Sequence, residues 1–472
     1  MILNKMRANA AIAVCAGLGL RLMFVLRFPA TDTGDGPFYI QLAWNWLKKG
    51  VYGIPINGTL TPVDMRVPGY PAFVAGVFAI VGKSQPAVML AQVPIDLATC
   101  LLTALMAALL ARPESRQRVG VAALWMAVLC PFTANYTAVV LTETIVTFLT
   151  ALALLLLLET DIGYPASAKQ SKTSWVIWLS AGMIAGFGAL VRPETPLVLA
   201  AAGAILIAKW WRLRDWTKPV RAGALMAAGL ALALVPWAAR NWRVLHEVQF
   251  LAPRYSQLPG EVVPRGFTAW TNTWMWRMRD VYLVPWNLND AEIPLDTIPS
   301  SAFDSQKERD RVSAMLDEYN DTLTETNEMD AQFAEIARER TRRHPLRTYL
   351  KIPALRSLTL WFTPRTELLP LAGHLFPVWH EWDEDRSDFL TTLLLAAVNI
   401  AFVGLAISGA LRALRRPGVA FLLLFVILRT VFFAYFADTP EPRYVLECFP
   451  AIVALGALSF ERRGQRSSTG SG

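Results

Sequence analysis

Charged side chains stand at the ends of long apolar stretches in this sequence, where they could perform chemistry at a membrane surface. Asp35 lies four residues before Tyr39, and Arg66 opens the segment Arg-Val-Pro-Gly-Tyr70-Pro. A carboxylate can remove a proton from a hydroxyl group as a general base, and the planar guanidinium of arginine matches a phosphate. Charges at a membrane boundary are costly unless they line a wet cavity or bind a charged ligand. The pattern therefore indicates a site for an anionic, lipid-linked substrate.

Both leading candidates also have a purely structural interpretation. Asp32 and Asp35 precede the amphipathic segment 38–50 and could simply cap it as a helix. Arg66 could extend its side chain toward lipid headgroups without binding a substrate. The spacing alone leaves these alternatives open.

Further candidates open or close later apolar stretches. Glu143 begins a very apolar stretch, where it is either stabilised by the helix dipole or holds an arginine or orients an acceptor. Arg192 and Arg240 each close a stretch, in the motifs Arg-Pro-Glu and Pro-Trp-Ala-Ala-Arg-Asn. Arg443 and Tyr444 follow in the last polar turn. We predict that some of the arginines of this set, together with Arg66, are phosphate ligands.

The composition requires a membrane protein. The 472 residues are 54% hydrophobic, with a mean hydropathy of +0.36, and apolar stretches of 18 or more residues recur, which is the length that crosses a hydrocarbon core. We predict an all-α polytopic protein with about ten transmembrane helices, the first of them not a cleaved signal peptide. The predicted spans are 7–28, 86–111, 119–136, 141–158, 174–191, 195–210, 221–238, 388–410, 418–436 and 444–460.

The basic residues predict the orientation. The formal net charge is +8, and Lys and Arg cluster in alternate loops, which the positive-inside rule makes cytoplasmic. Both termini are then cytoplasmic, and the two large polar segments are external. Because the charges flank spans and do not form one stripe, no nucleic-acid partner is expected.

Four regions are predicted along the chain. They are a transmembrane module (1–238) that contains the first external loop (29–85), an external domain (239–387), C-terminal transmembrane helices (388–461) and a disordered cytoplasmic tail (462–472). Within the external parts we expect an interfacial helix at 38–50, a membrane-lying or re-entrant segment at 68–83, one or two solvated helices in 301–344 and a surface-lying helix in 346–363.

The sequence does not indicate metal or thiol chemistry. The four cysteines are widely spaced in or beside apolar stretches, so they are interpreted as small core residues. His380 with Glu381 and Asp383 forms a local cluster without the spacing of a metal site. No cofactor is required, and a divalent metal is compatible with the pattern without being indicated by it.

Taken in order, these motifs resemble those of the GT-C integral-membrane glycosyltransferases. The series runs from Asp-x-x-x-Tyr and Arg-x-Pro-Gly-Tyr-Pro through Thr-Glu, Leu-Val-Arg-Pro and Pro-Trp-x-x-Arg-Asn to a late Pro-Arg-Tyr. It is similar to the branch of bacterial protein O-mannosyltransferases and the lipid A aminoarabinose transferase. The resemblance covers about 15–245 well and 340–460 more loosely.

The resemblance implies a polyprenyl-phosphate-linked sugar donor and transfer to an acceptor hydroxyl, usually with inversion, on the external face of a bacterial inner membrane. Asp35 matches the catalytic carboxylate and Glu143 a second acidic position. Many relatives carry two adjacent acids where this chain has Asp35-Gly36, which leaves Asp35 as the sole strong base. Lipid, glycan and protein acceptors remain open, and membrane lipids are expected partners. The predicted substrate-binding residues are Tyr39, Arg66, Tyr70, Arg192, Arg240, Arg443 and Tyr444.

Two other functions make different predictions for this sequence. A lipid-linked oligosaccharide ligase or polymerase would depend on an external residue such as His344 or His374 and not on Asp35. A transporter or flippase would place functional charges within spans and repeat its halves. Arg21 and Arg429 lie within predicted spans, but the sequence shows no internal repeat.

Overall fold

The protein is mostly helical, as predicted. The structure, a computed structural model, describes residues 2–31, 34–163, 174–214, 216–255 and 262–462. Within these ranges α-helices are joined by turns and short 3-10 segments, and one antiparallel hairpin, which was not predicted, pairs Gly53–Ile56 with Thr59–Pro62.

The elements follow one another in simple order along the chain. The first part contains α1 (Ile2–Arg27), α2 (Gly36–Lys49), β1 (Gly53–Ile56), β2 (Thr59–Pro62), α3 (Gly69–Val81), α4 (Gln85–Leu110), α5 (Arg116–Val128), α6 (Pro131–Ala134), α7 (Glu143–Leu158), α8 (Ser174–Ala189), α9 (Leu197–Leu213) and α10 (Thr217–Leu245). The second part contains α11 (Arg265–Thr271), α12 (Met278–Leu283), α13 (Gln306–Thr322), α14 (Asn327–Arg343), the π-helical turn Arg347–Lys351, α15 (Ile352–Phe362), α16 (Val378–Glu384), α17 (Arg386–Ala413), α18 (Pro417–Phe436) and α19 (Phe449–Ala457).

Six segments among the described residues are long and apolar enough to cross a membrane, and a seventh qualifies if a bent helix pair is one span. The six are Ala8–Arg27, Gln85–Leu110, Thr217–Leu245, Arg386–Ala413, Pro417–Phe436 and Pro442–Phe460. Three further predicted spans are α7, α8 and α9, helices of 16, 16 and 17 residues. The chain is therefore a multi-pass membrane protein, whereas the count of about ten helices remains a prediction.

The predicted span 119–136 is not one continuous helix. Helix α5 ends at Val128, and the chain resumes as Pro131–Ala138 at an angle of 50°. Cys130 between them has extended backbone angles. Pro131 lacks the amide hydrogen that a continuing helix would use, so the break falls where the sequence permits it at least cost.

The chain divides into two compact units. The first comprises 1–252, 364–426 and 446–472, and the second comprises 253–363 and 427–445. The second unit thus lies largely within the predicted external domain 239–387, and it adds part of α18 and the turn that follows. The predicted boundaries remain a proposal, and residues 463–472 of the predicted tail lie outside the described ones.

The second unit has its own apolar core, built from aromatic residues of α11 and its turn and from α13 and α14. Trp270 and Trp274 are fully buried there beside Phe333. One or two solvated helices were predicted in 301–344, and the structure has two there, α13 and α14. Each begins with a side-chain cap, since Ser305 and Thr326 accept hydrogen bonds from backbone amides three residues on, as good N-caps do.

A buried ion pair joins α1 and α4 in the first unit. Arg21 Nε donates to Asp96 Oδ2 at 2.7 Å, and its Nη1 donates to the carbonyls of Gly17 and Val128. Neither side chain of the pair is more than 3% exposed. Charges inside a membrane protein are tolerated when they face the bundle and pair with one another. Arg21 is therefore accounted for by packing between helices.

Candidate active site

Asp35 faces Arg66 at the start of α2. Arg66 Nη2 donates to Asp35 Oδ1 at 2.9 Å, and the two side chains are 35% and 37% exposed. Asp35 occupies the N-cap position, but its side chain makes no capping hydrogen bond. The capping interpretation of Asp35 is therefore wrong, and Asp32 lies outside the described residues. The Asp35 carboxylate is partly open to solvent and engaged by one guanidinium.

Arg66 is held from several sides. Its Nη1 donates to the Met65 carbonyl at 3.0 Å, and its guanidinium lies 5.6 Å from the ring centre of Phe38. Burial lowers the pKa of Arg66, but the Asp35 carboxylate and the Tyr39 hydroxyl together outweigh it, so that the pKa is raised. The guanidinium is thus a permanent cation with one carboxylate partner and part of its surface exposed.

A second ion pair lies deeper. Arg192 Nη1 donates to Glu143 Oε1 at 3.1 Å, and the Glu143 side chain is only 2% exposed. Glu143 is the first residue of α7, where the helix dipole favours a carboxylate. Glu143 therefore both begins a helix and holds an arginine, whereas its predicted catalytic role remains a prediction.

Tyr39 connects the two ion pairs electrostatically. Burial raises the pKa of its hydroxyl, Asp35 and Glu143 raise it further, and Arg66 and Arg192 lower it. Its ring packs edge-on against Tyr70 with centroids 5.1 Å apart. The two pairs thus belong to one polar cluster, in which Tyr39 is a buried neutral phenol.

Tyr70 is anchored by a residue that the sequence analysis missed. Its hydroxyl donates to Gln92 Oε1 at 3.0 Å, and Gln92 Nε2 donates to the carbonyls of Thr137 and Val139. Gln92 is fully buried within the apolar helix α4. A lone amide in a span is a signal that could have been noticed, because burying it requires partners.

Close backbone contacts bring the segments of the cluster together. The Gly69 amide donates to the Leu190 carbonyl at 2.6 Å, and a Cβ atom on Gly69 would lie 2.6 Å from that oxygen. This approach requires glycine. Similarly, a Cβ on Gly36 would lie 3.2 Å from the Val140 carbonyl oxygen. The Arg66 segment is thus docked beside Arg192, and the Asp35 segment beside the chain that leads to Glu143.

Arg240 lies against the hairpin. Its Nη2 donates to the Tyr52 carbonyl at 2.9 Å and its Nη1 to the Val63 carbonyl at 3.0 Å. The guanidinium also lies 4.9 Å from the ring centre of Trp237. These contacts hold the open end of the hairpin, just before β1 and just after β2, against α10. The predicted phosphate contact of Arg240 remains a prediction.

A cavity of about 380 Å³ lies beside this arginine in the first unit. Apart from Arg240, its wall is mainly apolar and aromatic, and it reaches the Pro68 and Leu190 turns that flank the polar cluster. It is lined by Trp46, Gly50, Val51, Tyr52, Pro62, Pro68, Leu190, Pro236, Trp237, Arg240 and Val244.

Arg443 and Tyr444 belong to the second unit, whereas the seven other predicted site residues belong to the first. Arg443 Nε lies 2.5 Å from Glu441 Oε2, and the Tyr444 hydroxyl donates to Glu441 Oε1 at 2.9 Å. The Tyr444 ring stacks on Phe433 with centroids 4.7 Å apart. Their predicted role in substrate binding remains a prediction.

The described residues contain no group of three or more His, Cys, Asp or Glu side chains that could hold a metal ion. His380 Nε2 instead lies 3.5 Å from Glu384 Oε2 on an exposed helical turn. The polar cluster presents carboxylates, guanidiniums and phenols.

Residues 65–238 match the model of the family described as dolichyl-phosphate-mannose-protein mannosyltransferase. This segment is a little over a third of the chain, and it contains Arg66, Tyr70, Glu143 and Arg192. A search of curated proteins found no match.

Solved structures with similar chains were also found. The Archaeoglobus fulgidus oligosaccharyltransferase in complex with Zn and sulfate is 13% identical, with a TM-score of 0.48, and the match covers 96% of this chain and 48% of that chain. AglB from the same organism, in complex with an inhibitory peptide and a dolichol-phosphate, is 14% identical, with a TM-score of 0.46, and the match covers 96% of this chain and 50% of that chain. ArnT from Cupriavidus metallidurans bound to undecaprenyl phosphate is 14% identical, with a TM-score of 0.39, and the match covers 95% of this chain and 77% of that chain.

The chain spans about half the length of the archaeal enzymes. The family match is independent of those superpositions, and it falls within the region 15–245 where the motifs were recognised. It contains the Arg-x-Pro-Gly-Tyr-Pro, Thr-Glu and Leu-Val-Arg-Pro motifs. Over residues 65–238, the chain is therefore similar to the dolichyl-phosphate-mannose-protein mannosyltransferases, in agreement with the resemblance that the motifs carry.

Proposed function

We propose that this protein transfers a sugar from a polyprenyl-phosphate donor to an acceptor hydroxyl, with inversion, on the external face of a bacterial inner membrane. The observation that carries the proposal is the partly exposed Asp35–Arg66 pair beside the buried Glu143–Arg192 pair. One arrangement thus offers a base for the acceptor and cations for the donor phosphate. The basic loops support the orientation, with both termini cytoplasmic.

The donor phosphate binds at Arg66 and Arg192 in this mechanism. Arg66 has the more exposed guanidinium of the two, so it meets the phosphate first, and Arg192 is presented at a fixed position by Glu143. The apolar cavity at Pro68 and Leu190 receives the adjoining part of the lipid chain. Aromatic and proline walls suit an isoprenoid, because they bury apolar surface without unpaired polar groups.

The ion pair between Asp35 and Arg66 implies an ordered reaction. While Arg66 holds the carboxylate, one of the two carboxylate oxygens is occupied. An incoming phosphate competes for the guanidinium and frees that oxygen for the acceptor. Donor binding therefore prepares the base, and the carboxylate is activated only when there is a sugar to transfer.

The chemical step is a single displacement. Asp35 takes the proton of the acceptor hydroxyl, whose oxygen forms a bond to the anomeric carbon as the bond from that carbon to the phosphate oxygen breaks. The electron pair leaves with the polyprenyl phosphate, which needs no proton because its second pKa is about 6. The arginines stabilise the charge that develops on it. Attack opposite the leaving group inverts the anomeric carbon.

The proposal is tested with the purified full-length protein in lipid nanodiscs. Radiolabelled polyprenyl-phosphate sugars are offered one at a time with lipid, glycan and hydroxyl-bearing peptide acceptors. We expect transfer from one donor class, loss of transfer in Asp35→Asn, and normal transfer in the control Glu318→Gln, which removes an exposed carboxylate of the second unit. Transfer that survives Asp35→Asn but not His344→Ala or His374→Ala would favour the ligase alternative instead.

A further inference from the structure

A second cavity, of about 690 Å³, lies within the second unit. It is enclosed by α14, by the helical segment 347–362, and by the last residues of α18. The Tyr435 hydroxyl of α18 donates to the Tyr349 carbonyl at 2.9 Å, which links two of its walls. The mechanism proposed above makes no use of this cavity.

One face of α14 supplies two cations to the cavity. Arg338 and Arg342 are four residues apart, so they project from the same side of the helix, and both line the cavity. Both are exposed, and neither forms an ion pair with any described residue. Like charges at this spacing repel each other, so their placement is mildly unfavourable until an anion binds between them.

The neighbouring arginines behave differently. Arg340 and Arg343 of α14, and Arg347 just after it, pair with Asp304 or Glu308. The basic end of this helix therefore has a neutralised side and a side without acidic partners. Only the second faces the cavity.

A third cation is buried in the cavity wall. Arg356 is 2% exposed and donates to the carbonyls of Met275 and Ala437 and to the amide oxygen of Asn272. Burial lowers its pKa to about 10, so it stays protonated at neutral pH. The residues that line the cavity include no Asp or Glu. The Asp438 carboxylate, which is not part of the lining, offsets some of the charge on Arg356. Within the lining only dipoles do so, and this favours an anionic ligand.

The rim of the cavity is apolar. Tyr349 and Phe436 line the cavity, Leu350 is the chain neighbour of Tyr349, and all three are more than half exposed. Phe436 also ends α18, a helix that is long and apolar enough to cross a membrane. A cationic cavity at the end of such a helix meets lipid headgroups, and an apolar rim suits the chains attached to them.

We infer that this cavity binds the phosphate-bearing headgroup of an anionic membrane lipid, with Arg338 and Arg342 as its phosphate ligands and Arg356 as a fixed cation behind them. The lipid chains leave over the Tyr349, Leu350 and Phe436 rim. This site is separate from the residues assigned to sugar transfer, and it holds whether or not that assignment is correct.

The test measures binding of a fluorescent short-chain phosphatidylglycerol to the full-length protein in detergent. Arg338→Gln with Arg342→Gln is expected to weaken binding at least tenfold. The control, Arg279→Gln with Arg309→Gln, removes two exposed arginines of the same unit away from the cavity and is expected to change binding less than twofold. Because all four side chains are exposed, the variants should fold normally, which their thermal unfolding checks.

Competition distinguishes the possible sources of the anion. We expect unlabelled phosphatidylglycerol to displace the probe at concentrations at least a hundredfold below those of inorganic phosphate, and phosphatidylcholine not to displace it. Equal potency of phosphate and lipid would overturn the lipid assignment, because the rim would then contribute nothing. The assignment would also be overturned if the cavity variant and the control bound the probe equally. It would be overturned as well if an acidic peptide displaced the probe and lipid did not.

Discussion

Asp35 and Arg66 are an ion pair whose partners change during turnover in the proposed mechanism. Their mutual hydrogen bond of 2.9 Å is the resting arrangement, and the proposed mechanism replaces it with a guanidinium–phosphate contact and a carboxylate–hydroxyl contact. Exposed ion pairs contribute little to stability, on the order of 0–1 kcal/mol. This pair can therefore be exchanged without a large energetic barrier.

Substitution of Arg66 should act on donor binding. Lysine keeps the positive charge but loses the planar fork, so Arg66→Lys is expected to weaken donor binding modestly and Arg66→Gln to weaken it by tenfold or more. The measurement is the apparent Kd of the donor in nanodiscs. Arg27→Gln, which removes an exposed arginine from the end of α1, serves as the control. Donor affinity in Arg66→Gln equal to that of the control would exclude Arg66 as a phosphate ligand.

Individual contacts of this kind could be anticipated from the sequence only in part. The residue types of the cluster were identified, because charged groups beside apolar stretches are conspicuous. The pairing of Glu143 with Arg192 was not, since the two are 49 residues apart and several arginines could have met that carboxylate. The contacts of Arg240 with the hairpin were hidden for the same reason.

Among the secondary-structure elements, the helices were predicted more accurately than the hairpin. Segment 38–50 is confirmed as α2, and 346–363 contains α15, because periodic apolar residues specify helices. The strands β1 and β2 have four residues each, too few to show alternation clearly. Asn57-Gly58 between them has positive φ at both positions, as a type I′ hairpin turn requires, and this signal was overlooked.

The Arg21–Asp96 pair should be needed for the packing of α1 on α4. Removing one member of a buried pair leaves an uncompensated charge, which costs about 3–5 kcal/mol. Asp96→Asn is therefore expected to lower the thermal unfolding temperature clearly. The double variant Arg21→Met with Asp96→Leu should recover much of that loss, since no charge then stays buried. A double variant that is less stable than Asp96→Asn would contradict this explanation.

Glu325, between α13 and α14, should make the stability of the second unit pH-dependent. It is 3% exposed, neither carboxyl oxygen has a hydrogen-bond partner among the described residues, and burial raises its pKa from 4.5 to about 8. The folded state thus holds a proton that the unfolded state releases, so this contribution is present below the unfolded pKa and is lost as pH rises toward 8.

Glu325→Gln imitates the protonated carboxyl and should abolish that loss. Near pH 5 we expect the variant to unfold at a temperature close to that of the wild type. Near pH 8 we expect it to unfold at a higher temperature than the wild type does, as followed by scanning fluorimetry. Asp317→Asn, at an exposed position of α13, is the control. A difference between Glu325→Gln and wild type that stays constant across this range would refute the assignment.

For the molecule as a whole, the membrane is the reason that apolar helices and charged helix ends occur together. The helices need long apolar stretches, and catalysis on a lipid-linked substrate needs charges where those stretches end. Composition and charge distribution therefore predicted a multi-pass membrane protein, and the resemblance of the motifs implied a glycosyltransferase. The break at Cys130 is caused by Pro131, and the lengths of α7, α8 and α9 depend on packing between helices. The apolar pattern encodes neither of these features.

The division into two units gives the molecule two candidate places for anionic ligands. The first unit carries the Asp35–Arg66 and Glu143–Arg192 pairs, and the second carries the cavity of Arg338, Arg342 and Arg356. The proposed roles differ, since only the first set has a carboxylate that can accept a proton from an acceptor. Loss of lipid binding in the second unit should therefore leave donor binding in the first intact.

The most direct test of the central claim compares donor binding with turnover in Asp35→Asn. If Asp35 is the general base, the variant should bind the polyprenyl-phosphate sugar with an affinity within about threefold of the wild type, because the arginines are kept. Its rate of transfer under donor saturation should fall by a factor of about 10²–10⁴. Near-normal transfer by Asp35→Asn, in protein that unfolds at the wild-type temperature, would contradict the proposed mechanism.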